Sequence, residues 1–289
     1  MPLPVHKIDK SLLTGRLLFR ENFSHKGDYG HLCLVCGCDS MPGAAVLATA
    51  AALKSGCGLV TLHTSAFAAR ISAAANPSAI LSIDSGHSFS DMDKDWSRYT
   101  TVAAGPGLGT HPQTAAALAR LMSAMREAGR PMVLDADALN IIAANPQMRG
   151  YIPAGSVLTP HDGELARLIS WDGAEDKEEK THKLADELGC HIVSKGYHSR
   201  IYIAGQAGCY ENTTGNPGMA KGGSGDVLTG LIGGLIARGY DSATAAMLGV
   251  WLHGYAGDCC AEKFGMECFS SRDLLDSLHL GFLELSGKY

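Results

Sequence analysis

The chain has 289 residues, of which 46% are hydrophobic and 18% charged, enough for one large α/β domain with an ample core. Its formal net charge is −5 and no basic block stands out, which argues against a nucleic-acid partner. Apolar runs such as 44–53 are broken by Thr, Lys or Gly, and Met1–Gly15 lacks the basic start and apolar core of a signal peptide, so a soluble, cytoplasmic protein without a membrane partner is expected. The nine cysteines, an odd number lying in apolar segments, read as reduced thiols. Neither Cys33-Cys36-Cys38 nor Cys259-Cys260 is matched by the second Cys/His pair that a structural metal site needs.

Taken in chain order, strand-like and helix-like runs alternate. Strands are predicted over 31–36, 59–63, 101–104, 132–135 and 156–159, and helices over 43–54, 112–128, 138–145, 163–169 and 177–188. The polar stretch 84–98 reads as a surface loop or short helix. Residues 191–210 read as two or three strands with a hairpin at Gly205-Gln-Ala-Gly208, and the chain from Asp226 onward reads as helical. The alternation predicts an α/β fold, a mainly parallel sheet covered on both faces by helices, in a single domain spanning 1–289. In such sheets ligands bind beyond the carboxyl ends of the strands. Four predicted strands end there in Gly-rich or polar loops: Gly105-Pro-Gly-Leu-Gly-Thr110, Asp135-Ala-Asp-Ala-Leu-Asn140, Thr159-Pro-His-Asp-Gly-Glu164 and Lys195-Gly-Tyr-His-Ser199.

The sharpest local signal is Gly222-Gly-Ser-Gly-Asp226 at the start of an apolar helical run. Small residues let backbone N–H groups crowd around one anion, and a helix N-terminus adds unpaired donors and the positive end of the macrodipole. Gly223, Ser224 and Gly225 therefore read as a phosphate cradle. Asp226 reads as a base taking a proton from a hydroxyl that attacks phosphorus. The plainer alternative is a turn with Ser224 as helix N-cap and Asp226 in the first turn.

Together these loops, with Lys26-Gly-Asp-Tyr-Gly30, Gly43-Ala-Ala45, Asn216-Pro-Gly-Met-Ala220 and His253-Gly-Tyr-Ala-Gly-Asp258, resemble the ADP/ATP-dependent NAD(P)H-hydrate dehydratases of the ribokinase-like superfamily, from about Lys26 to the C-terminus. The resemblance implies a three-layer α/β/α fold in the stand-alone form, without the fused epimerase domain. It implies a substrate, hydrated NADH or NADPH (NADHX/NADPHX), whose ring hydroxyl at C6 is phosphorylated from ADP or ATP with Mg²⁺. The ring nitrogen then expels phosphate and restores NADH or NADPH. ADP is the expected donor. The implied partners are small-molecule nucleotides, a separate NAD(P)H-hydrate epimerase, and further copies of the chain in a dimer or tetramer.

Carried over residue by residue, the resemblance implies substrate contacts at Ala44, Gly107, Gly109, His161 and Asp226. It implies nucleotide contacts at Lys195, Gly196, Tyr197, His198, Ser199 and Gly225, and Mg²⁺ held through water at Glu164. Several have a plain alternative: helix–sheet packing for Ala44, a tight turn for Gly107 and Gly109, a loop or capping role for His161, a first-turn Glu164, a strand-end surface Lys195. Asp137 and Asn140 read as part of a polar strand-end cluster that positions substrate, and Asp135 and Asp137 read equally as caps of the following helix. A buried His253 is expected to pair with backbone or with Asp258. Two departures from the family pattern stand out: Gly37-Cys-Asp39 where Gly-Gly-Ser is usual, and Lys221 where a small or hydroxylated residue is usual. Lys221 reads as added positive charge near phosphate or as a solvent-facing side chain. A kinase of the same superfamily acting on a hydroxymethylpyrimidine or hydroxyethylthiazole, and a non-catalytic nucleotide-binding module, remain the competing readings.

Overall fold

The computed structural model describes residues 3–91, 94–174 and 176–287. Its elements in chain order are β1 (Val5–Ile8), the single-turn α1 (Lys10–Leu13), β2 (His31–Val35), α2 (Pro42–Lys54), β3 (Leu59–Thr64), α3 (Ala66–Ala75), β4 (Ile80–Ile83), β5 (Thr101–Ala104), α4 (Pro112–Glu127), β6 (Met132–Leu134), α5 (Ala136–Ala144), β7 (Val157–Leu158), α6 (Asp162–Leu168), α7 (Lys177–Leu188), β8 (His191–Ser194), β9 (Arg200–Tyr202), β10 (Cys209–Asn212), α8 (Ser224–Arg238), α9 (Ser242–Phe264) and α10 (Ser271–Ser286). The strands form one sheet in the order β1-β10-β9-β8-β7-β6-β5-β2-β3-β4. All neighbours are parallel except β9, which runs antiparallel to both β8 and β10.

Two cores follow from the period-2 alternation of the strands. Leu32, Leu34, Ala103, Val133, Val157 and Val193 face α2, α8, α9 and α10. Their neighbours Cys33, Val35, Val102, Ala104, Leu134 and Ile192 face α4, α5, α6 and α7. The result is the expected α/β/α sandwich. Because both faces are covered, the central strands read as unbroken apolar runs. Each fully buried Val or Leu contributes about 1.5–3 kcal/mol relative to exposure.

Helix α8 positions the site. Residues 227–237 are all buried, and Gly230 lets the helix lie directly on α2, since a Cβ there would sit 2.0 Å from the Ala48 carbonyl oxygen. The N-terminus of α8 is thereby fixed against the sheet.

The predicted strands and helices appear within one or two residues of their expected bounds. The hairpin forms between β9 and β10 around 203–208. The pair α3–β4 and the edge strand β1 were not foreseen. The 84–98 stretch, expected as a surface loop or short helix, contains no helix among its described residues and is partly internal. Phe89 and Trp96 are each 2% exposed and pack edge to face with each other. All nine cysteines are free, seven of them buried. Among the described residues no helix is long and apolar enough to cross a membrane.

Candidate active site

Three adjacent parallel strands deliver polar groups to one point. Asp135 follows β6, His161 follows β7 and Lys195 follows β8, with His161 and Lys195 joined by an isolated parallel bridge. They line a cavity of about 750 Å³ together with Glu164, Gly196, Tyr197, Ser199, Ser224, Gly225 and Asp226. Nine residues foreseen from the sequence thus meet in one cleft.

Gly223 is the N-cap of α8, at φ +90°, and no side chain caps the helix. A Cβ at that φ is strained, and here it would lie 2.4 Å from Leu47 Cδ1, so only glycine fits. The uncapped first turn suits an anion. Ser224, offered above as the N-cap, is instead the first helical residue. Its carbonyl accepts a hydrogen bond from His253 Nε2 at 2.9 Å, and its hydroxyl lies 3.3 Å from the same nitrogen. Burial pushes His253 down to about 4, so the ring is neutral and serves as a fixed donor that anchors the loop. Asp258 is not its partner: that carboxylate accepts from the Gly215 N–H and the Asn216 side chain.

Asp226 sits in the first turn of α8. Burial above all, then the facing Asp135 carboxylate, push it up to about 6, with Lys195 pulling in the opposite direction. At pH 7 such a group is about nine-tenths ionised and still basic enough to take a proton. Asp135 occupies the N-cap position of α5, but its side chain does not cap the helix. One oxygen accepts from Lys195 Nζ at 2.7 Å, the other from Thr229 Oγ1 at 2.6 Å. Ala136, next in the chain, is held at φ +47°, a strained conformation at the rim of the cleft. Lys195 is therefore neither a free surface lysine nor an isolated cation: it bridges Asp135 and, at 3.9 Å, Glu164. The backbone of Gly225 lies against this pair, its Cβ direction pointing 3.4 Å from Lys195 Nζ.

His161 and Glu164 form a capping box at the start of α6: His161 Nδ1 accepts from the Gly163 and Glu164 amides, and Glu164 Oε2 accepts from the His161 N–H at 2.8 Å. The capping role weighed for His161 and the first-turn role weighed for Glu164 both hold, yet both side chains also line the cleft. Glu164 is 5% exposed and each of its oxygens already has one partner. Its remaining lone pairs are hard donors that suit a magnesium-bound water better than direct ligation.

Other foreseen residues lie off the cavity wall. Ala44 and Gly107 touch each other: a Cβ on Gly107 would be 3.0 Å from that of Ala44. The Gly109 N–H donates to Asp137 at 2.8 Å. His198 turns toward the Asn212 carbonyl. Asp39 in the Gly37-Cys-Asp39 loop pairs with His87 at 2.6 Å. The only His/Cys/Asp/Glu group with metal spacing among the described residues, His63-Asp84-Asp91, lies outside the cleft and is served internally by the Lys94 ammonium and the amides of Gly86, Ser90 and Asp91.

Lys221, half-buried and itself on the cavity wall, donates its ammonium to the carbonyls of Met266, Glu267 and Phe269 and lies 4.4 Å over the Phe269 ring.

Comparison with known proteins points to one family. A family profile described as NAD(P)H-hydrate dehydratase matches residues 32–279. The chain is 39% identical to the bifunctional NAD(P)H-hydrate repair enzyme Nnr of Moorella thermoacetica, over 90% of this chain and 50% of that protein. It is 35% identical to the ADP-dependent (S)-NAD(P)H-hydrate dehydratase of Neisseria meningitidis, over 86% of this chain and 82% of the relative. The chain spans about half the length of the bifunctional relatives it matches. Among solved structures it superposes on the Bacillus subtilis ADP/ATP-dependent NAD(P)H-hydrate dehydratase co-crystallized with ATP/Mg²⁺, with a TM-score of 0.80 and 28% identity, covering 97% of this chain and 99% of that one.

Proposed function

From a chain that belongs to the NAD(P)H-hydrate dehydratase family, we propose a repair enzyme that converts the S form of hydrated NADH or NADPH back to NADH or NADPH at the expense of ADP, with ATP as the alternative donor. The observation that carries this reading is the junction of Asp226 with the α8 N-terminus inside a cleft that also holds Lys195, His161 and Glu164.

Hydroxide is a poor leaving group and phosphate a good one. Asp226 takes the proton from the C6 hydroxyl as that oxygen attacks the terminal phosphorus of the nucleotide. The first-turn amides of Ser224 and Gly225 stabilise the charge on the transferring group. Bond formation from oxygen to phosphorus releases AMP from ADP. The ring-nitrogen lone pair then expels phosphate from C6, and loss of the C5 proton restores the dihydropyridine. Lys195, Gly196, Tyr197, His198 and Ser199 form the nucleotide side of the site, Tyr197 offering an exposed ring. His161 forms the substrate side of the cleft, and substrate extending beyond that wall meets Ala44, Gly107 and Gly109. Mg²⁺ neutralises phosphate charge when bound, and Glu164 is the residue that would hold it through water.

The same reading makes 1–289 one domain acting in the cytoplasm as a dimer or tetramer, on substrate supplied in part by a separate epimerase. The test is to mix the protein with Mg²⁺, hydrated NADH, and ADP or ATP. Reduced-nicotinamide absorbance returns faster with ADP than with ATP. No return with either nucleotide rejects the dehydratase reading.

A further inference from the structure

The glycine loop is braced by a cation that belongs to the chain itself. Lys221 immediately precedes Gly222-Gly-Ser-Gly-Asp226. An ammonium has three N–H donors, and those of Lys221 meet three backbone carbonyls: Met266 at 2.9 Å, Glu267 at 3.0 Å and Phe269 at 2.6 Å. The three belong to the turn that leads into α10. Two further ties join the same segments. Ser271 Oγ donates to the Gly222 carbonyl at 2.7 Å, and Gly218 lies so close to the turn that a Cβ would stand 2.6 Å from the Met266 oxygen. Three carbonyl dipoles converging on one point repel each other unless a cation sits among them. Their distances exceed the 2.0–2.1 Å of Mg²⁺ and match the way carbonyl oxygens replace the water around a large monovalent ion.

We propose that Lys221 is a positioning residue, a tethered monovalent cation whose ammonium fills a carbonyl cage at residues 266–269 and thereby fixes the glycine loop against the start of α10. The assignment rests on the reading of that loop as the phosphate cradle. It has a consequence specific to this chain. With the cage filled by its own side chain, the wild-type protein has no need of a free monovalent cation, whereas removal of the ammonium opens a site for potassium or ammonium ion.

The experiment compares wild type with Lys221→Met in chloride salts of choline, lithium, potassium and ammonium at matched ionic strength. In choline, the variant is expected to lose about tenfold or more in kcat with a smaller change in KM. Potassium or ammonium restores most of that loss and lithium does not. Wild-type turnover changes less than about twofold across the series. The thermal midpoint of the variant, measured without substrate, rises with potassium and not with lithium. A variant indifferent to all four salts overturns the proposal. So does a wild type stimulated severalfold by potassium over choline, a result that needs no folded variant. Absence of turnover in the wild type would reject the proposed activity instead, and the midpoint series would still decide the cage.

Discussion

Replacing Asp226 by Asn is expected to make the protein more stable and nearly inactive. The reason is a buried carboxylate kept ionisable at a cost. Burial and the facing Asp135 raise it from an ordinary 3.8 to about 6. At about 1.4 kcal/mol per pH unit, that rise corresponds to about 3 kcal/mol of destabilisation once the group is ionised in the folded protein. The sign follows from linkage. A carboxyl whose folded value exceeds its unfolded value binds the proton more tightly when folded, so stability is lost as pH climbs from about 4 and the loss is complete above about 7. Asn removes the charge and keeps the shape. The stability gap between Asp226→Asn and wild type should therefore be small at pH 4, widen through pH 6 and level off above pH 7. There it should reach about 2–3 kcal/mol, or roughly 5 °C in thermal midpoint for a chain of this length. Turnover should fall by roughly 10²–10⁴-fold, the usual contribution of a general base. Thermal midpoints of both proteins across pH 4–8, without nucleotide, read the effect. A variant less stable than wild type at pH 8, or a gap that does not change with pH, would refute the claim that Asp226 is strained by ionisation.

Three further outcomes follow from the same geometry. The acid limb of kcat/KM should lie near pH 6 in wild type, and in Asp135→Asn it should move toward lower pH, because the carboxylate that raises Asp226 is gone; an unmoved limb would mean that another group titrates. Gly223→Ala forces a side chain into φ +90° against Leu47, at a cost of about 1–3 kcal/mol in stability, with kcat falling more than a hundredfold as the cradle amides shift; calorimetry and steady-state kinetics measure the two. Glu164→Gln should raise the Mg²⁺ concentration for half-maximal rate severalfold while leaving the thermal midpoint within a few degrees, since the amide oxygen can still accept from the His161 N–H.

The layered fold was legible because buried parallel strands announce themselves as apolar runs followed by amphipathic helices. What escaped had weak patterns. Residues 66–75 are alanine-rich, and β4 is an edge strand whose Ile80, Leu81 and Ile83 are exposed, so no alternation marks it. At the site, Asp226 and the glycines were found because their chemistry is local to five residues. Asp135 stayed between substrate positioning and helix capping because a sequence shows an Asp before a helix but not its partners, which lie 60 and 94 residues away. The tie of Lys221 to the turn before α10 was hidden for a deeper reason. Its partners are backbone carbonyls, which carry no residue-type signal at all.

The central claim is that phosphorylation by this site serves only to make an oxygen leave. It is tested most directly by stoichiometry in a single reaction of hydrated NADH with ADP and Mg²⁺. Restored NADH, AMP and inorganic phosphate should appear in equal amounts, at the same rate, and all three should vanish in Asp226→Asn. AMP formed together with a lasting phosphorylated product and no NADH would contradict the account and mark the protein as a simple kinase.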